Sequence, residues 1–91
     1  MATEGDLLLY RDDRTVRTAL HVYRVVRGCP TLLGSIAVDG RLAFAHVQAD
    51  AAVSVDVWLE HGDRLRRQYK LGASGYDFVK EEMIPGPRFP P

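Results

Sequence analysis

The sequence predicts a small, mainly β domain: an antiparallel meander of five to six strands forming a barrel or a sandwich, with a short C-terminal helix and an extended Pro-rich tail. Three observations predict it. Apolar residues recur mostly at every second position, the repeat of strands. Turn-forming groups separate the runs, at Asp12-Asp13, Gly28-Cys29-Pro30, Asp39-Gly40 and His61-Gly62-Asp63. The chain has 91 residues, which is room for one core and no more. A β domain over residues 1–84 and a tail over 85–91 are therefore expected.

The first strand is expected near residues 6–11, where Leu7 and Leu9 alternate with Leu8 and Tyr10. The second spans 15–27. Its even positions carry Val16, Leu20, Val22 and Val26, and a helix would scatter these residues around its circumference. Gly28-Cys29-Pro30 breaks the run, because proline removes a donor and glycine frees the backbone. Cys29 reads as an unreactive turn residue. Strands near 31–38 and 41–48 then flank Asp39-Gly40, a strong short hairpin signal because a type I′ turn needs positive φ at both central residues. A two-residue loop pairs Val38 with Arg41, Ile36 with Ala43, Gly34 with Ala45 and Leu32 with Val47. Both faces of that hairpin are apolar, so it needs cover on both sides.

Residues 52–60 place Val53, Val55, Val57 and Leu59 on one face, and 64–71 follow as the sixth strand. A three-residue loop at His61-Gly62-Asp63 pairs Leu59 with Leu65, Val55 with Tyr69 and Val53 with Leu71. On the outer face it sets Trp58 opposite Arg66, a favourable cation–aromatic pair. After Gly72-Ala73-Ser74-Gly75, the Ser74/Asp77 spacing resembles a capping box. Tyr76, Val79 and Met83 form one stripe, so a helix is expected from Gly75 to Met83. The tail from Pro85 to Pro91 is expected to be extended.

Twelve basic and twelve acidic residues cancel, so no global field draws the chain to nucleic acid or membrane. Lys70 and Lys80 are the only lysines, and arginine supplies the other cations. One cysteine gives neither an internal disulfide nor a thiolate metal cluster. The start is acidic and lacks a secretion pattern, and no apolar run is long enough to span a bilayer, so a cytoplasmic location is expected.

Catalysis needs a nucleophile, a base and an orienting group within reach. His21, His46 and His61 fall on three different elements, and no serine or cysteine carries a recognisable motif. No catalytic, metal or cofactor residues are assigned, and an enzyme is the least favoured class. The favoured class is a small protein-interaction module, such as an inhibitor, antitoxin or accessory protein of a bacterial or phage system. Trp58, Arg64, Arg66 and Lys70 are its expected contact residues, since tryptophan and arginine dominate protein interfaces. The alternative is a nucleic-acid-binding β-barrel using a basic and aromatic row of Arg17, His21, Tyr23 and Arg27. Its partners are then an unidentified protein or a nucleic acid, with no membrane. A homodimer is expected because a small chain with a doubly apolar hairpin needs a second cover.

Overall fold

The computed structural model describes residues 3–13 and 17–86. The expected Thr15 and Val16 at the start of the second strand lie outside the described residues, as do Pro87 to Pro91 of the tail. Seven strands form: β1 (Leu7–Asp13), β2 (Thr18–Val26), β3 (Cys29–Val38), β4 (Leu42–Val47), β5 (Val53–Trp58), β6 (Arg64–Gly72) and β7 (Gly75–Ile84). They build two antiparallel sheets, each a meander in chain order: β1-β2-β3 and β4-β5-β6-β7.

The sheets face each other as a sandwich and do not close into a barrel. Alternation along each strand decides which residues meet. Leu20, Val22, Ile36 and Val38 of the first sheet bury against Val53, Val55 and Val57 of the second. Leu9, Leu42, Val47, Tyr69 and Tyr76 close the sides of this core. Each buried Val, Leu or Ile contributes about 1.5–3 kcal/mol of transfer free energy.

Four expectations are corrected. First, residues 75–84 are not a helix. They form β7, joined to β6 by a tight turn that pairs Gly72 with Gly75. Pairing sets Lys70 opposite Asp77, Arg67 opposite Glu81 and Arg66 opposite Glu82, three opposite-charge matches that a helix would forgo. Tyr76, Phe78, Val79 and Ile84 also favour a pleated strand.

Second, Asp39-Gly40 is no hairpin turn. The chain crosses there from one sheet to the other, and β3 pairs with β2 while β4 pairs with β5. Ile36 and Val38 thereby face the valines of β5 across the core, and each sheet provides the cover that an isolated hairpin would lack. Gly40 does keep the positive φ expected of it, at +92°, and a Cβ there would stand 3.0 Å from Val57 Cγ1.

Third, the hairpin turn lies one step earlier than Gly28-Cys29-Pro30. Val26 pairs with Cys29, and Arg27 and Gly28 take φ of +54° and +77°, the positive pair of a type I′ turn. Cys29 is an exposed strand residue, and Pro30 is tolerated because β3 lies at a sheet edge.

Fourth, the β5–β6 loop has five residues, Leu59 to Asp63, not three. Trp58 pairs with Arg64, Val57 with Leu65, Asp56 with Arg66 and Val53 with Tyr69. His61 and Gly62 take φ of +63° and +79°. The Leu59 N–H donates to the Asp63 carbonyl at 2.8 Å and closes the loop. A slip of two positions leaves every side chain on its expected face and changes only its partner.

Candidate functional site

The outer face of the β4–β7 sheet carries Asp56 and Trp58 from β5, because the intervening valines point into the core. Phe44 on β4 stands opposite Asp56, and Arg64 and Arg66 on β6 stand opposite Trp58 and Asp56. Asp56 has no exposed surface. Its carboxylate accepts three hydrogen bonds: from Arg66 Nε at 2.8 Å, Arg66 Nη2 at 3.0 Å and Arg64 Nη1 at 2.8 Å. The Asp56 carboxylate beside it raises the Arg66 guanidinium above its usual range. Both arginine side chains remain about a third exposed, at 31% and 32%. Each therefore presents a fixed fork of unused N–H donors to solvent.

Aromatic groups flank this network. Trp58 is 43% exposed and Phe44 53% exposed, with the Phe44 ring stacked on His46 at a centroid distance of 6.4 Å. A buried acid between two arginines, with exposed rings beside it, makes a rigid surface with apolar anchors and oriented donors.

Of the expected contact residues, Trp58, Arg64 and Arg66 come together. The expected contact of Trp58 with Arg66 is replaced by Trp58 opposite Arg64. Lys70 is exposed at the other end of β6, opposite Asp77, and does not join the cluster. Sequence reasoning missed Asp56 and Phe44. The signal for Asp56 was present, since an acid amid alternating valines faces away from them and needs a cation in the next strand.

The alternative row is dispersed. Arg17 lies before β2 and pairs with Asp39 at 3.1 Å. Arg27 sits in the β2–β3 turn, where its backbone N–H donates to Glu4. Tyr23 lines a shallow apolar groove of about 410 Å³ with Leu8, Leu9, Tyr10 and Pro30.

His21 has a set of neighbours that its sequence position did not reveal. Its Nδ1 lies 2.7 Å from Ser35 Oγ, its ring stacks on Tyr10 at 6.2 Å, and its Nε2 is 3.9 Å from Asp12 Oδ2. Serine, histidine and aspartate thus share one sheet face. At 3.9 Å the acid is beyond hydrogen-bond distance of the ring, so among the described residues the three groups do not form a hydrogen-bonded triad. Among the described residues no three His, Cys, Asp or Glu side chains gather as a metal site requires. No helix among the described residues is long and apolar enough to cross a membrane.

Comparison of the chain with protein-family models, with curated proteins and with solved structures gives no match.

Proposed function

We propose that the chain is a small protein-interaction module whose contact surface is the outer face of the β4–β7 sheet, centred on Trp58 with Phe44, Arg64 and Arg66. The observation that carries this reading is the pair of exposed aromatic rings beside two arginines held in place by the buried Asp56. Binding hot spots are enriched in tryptophan and arginine, and a side chain already fixed before contact loses less entropy on binding. The partner fitting this surface offers an apolar pocket for Trp58 and carbonyl or carboxylate acceptors for the arginine forks. An inhibitor, antitoxin or accessory role in a bacterial or phage cytoplasm is the setting we infer for such a masking surface.

The nucleic-acid reading has less support. Arg64 and Arg66 share a buried counter-charge, Arg17 has Asp39, and the sheets do not form the closed barrel that such binding would use. The two readings separate by salt and by mutation. The module should capture one protein from its source lysate at high salt. Trp58→Ala should abolish that capture while the unfolding free energy stays within about 0.5 kcal/mol of wild type, as for an exposed residue. Retention on single-stranded nucleic acid that falls steeply with salt would instead support the nucleic-acid reading.

A further inference from the structure

Among the described residues β7 is a sheet edge, and its two halves are placed differently. Tyr76, near its start, packs against Gly34 of β3. From Val79 to Met83 the strand is exposed at every residue, with Val79 at 52% and Met83 at 58%. An edge with unpaired N–H and C=O groups and large apolar side chains is a template for another strand. We propose that this segment pairs antiparallel with the same segment of a second copy of the chain, about a two-fold axis at Glu81.

The register follows from pairing rules and charge. In an antiparallel pair, residues opposite each other share the same hydrogen-bonding type, so a two-fold axis between identical strands passes through a residue. With the axis at Glu81, Lys80 faces Glu82 of the partner subunit, twice by symmetry, and Val79 faces Met83 of the partner subunit, also twice. The two Glu81 side chains meet at the axis, where each is held by its own Arg67, whose Nε lies 3.1 Å from Glu81 Oε2. Moving the axis to Lys80 sets lysine against lysine and Val79 against a glutamate. At Glu82 it sets acid against acid and Glu81 against Met83, and at Val79 it sets Asp77 against Glu81. Only the Glu81 register pairs Lys80 with an acid and Val79 with Met83, and its one like-charge meeting, at Glu81 itself, falls where each acid already holds an arginine. The bulge at Val79, the residue left over between Gln68↔Lys80 and Tyr69↔Phe78, ends the straight stretch and confines pairing to Val79–Met83. The two-fold axis stands perpendicular to the joined sheet. Both Trp58 surfaces therefore lie on one side of it, and the dimer leaves the proposed partner-binding face open.

The competing explanation is that Lys80, Glu81 and Glu82 are there to repel other strands, as charges on edges commonly do. Sedimentation at low ionic strength over a concentration series distinguishes the two. Wild type should dimerise. Lys80→Glu and Glu82→Lys should each weaken the dimer by about tenfold or more, because two favourable pairs become two like-charge pairs. An equimolar mixture of the two variants should recover a heterodimer of wild-type strength, and the double variant K80E/E82K should recover the homodimer. Recovery in the mixture also shows that each variant is folded. A wild type that stays monomeric, single variants that dimerise normally, or a mixture that fails to associate would each overturn the proposal. Loss of Trp58-dependent partner capture has no bearing on these outcomes, since that face and this edge are separate.

Discussion

Asp56 is a charge with no contact to water, and the two arginines above it decide whether that is tolerable. Removing one partner of a buried pair costs more than the pair itself contributes, because the remaining charge loses its compensation. Asp56→Ala should therefore destabilise the protein by about 2–4 kcal/mol, less than for a fully enclosed pair since Arg64 and Arg66 can turn to solvent. Urea unfolding checks this, through a lower midpoint with an unchanged slope, and partner capture should weaken as the arginine forks lose their orientation. Tyr76 acts across the structure in another way. Its hydroxyl donates to the carbonyl of the buried Ala51 at 2.7 Å, and its ring fills the space left by Gly34, where a Cβ would come within 2.8 Å. Burial pushes the Tyr76 phenol above its ordinary value of 10.0, with Arg24 opposing in part. The folded chain thus holds this proton more tightly than the unfolded chain. The resulting stability is intact below pH 10.0 and is lost as pH rises through the folded value. Tyr76→Phe should cost about 1 kcal/mol at neutral pH and flatten the alkaline decline in melting temperature.

Among the elements, the β2–β3 turn gives the clearest test, because a long charged side chain occupies a conformation that suits asparagine or glycine. Arg27 has φ of +54° and its side chain is exposed. Arg27→Asn should stabilise by about 0.5–1 kcal/mol, since asparagine is enriched in this region. A thermal melt should rise by a few degrees, and a fall would mean the Arg27 side chain holds something more valuable than the turn. What the sequence disclosed about the elements follows from the range of the forces involved. Period-two alternation reports burial, a local property, and it placed β2, β5 and β6 and the valine face correctly. Turn residues report backbone φ, so Gly40 was read correctly as a positive-φ position. Neither reports which strand comes next to which. Asp39-Gly40 turns the chain equally well within a sheet or between sheets, and only the need of two apolar faces to cover each other selects the second. The β5–β6 register escaped for a similar reason. A two-residue slip preserves the pattern of faces, and the energy that chose between registers lay in Asp56 meeting Arg66. The β7 segment carried a helical stripe and a capping spacing, yet its acids complement the cations of β6 position by position. That long-range match outweighed the local preference.

At the scale of the molecule, the two sheets are built from separate halves of the chain. The first uses residues 7–38 and the second residues 42–84. The hydrogen bonds and ion pairs named above stay within one half or the other, including Arg17 with Asp39 and Tyr76 with Ala51. Among the described residues, what joins the halves is the apolar layer of Leu20, Val22, Ile36 and Val38 against Val53, Val55 and Val57, the Tyr76 ring against Gly34, and a single exposed crossing at Asp39-Gly40. A chain cut between Asp39 and Gly40 loses no strand pairing. It loses only the tether, whose effect is to hold the two apolar faces at high effective concentration. Each half alone would expose one whole apolar sheet face, which a sheet must bury against another layer to form a stable core. Fragments 1–39 and 40–91 should therefore show no cooperative thermal transition separately and should regain one when mixed. The midpoint should rise with concentration, as it does for any folding coupled to association. Because the joint is apolar, sodium chloride should leave reassembly almost unchanged and sulfate should strengthen it, the reverse of what a charged interface would show. A cooperative transition in either fragment alone would mean that the sheets are stable without each other and that the inter-sheet core is not what holds the fold.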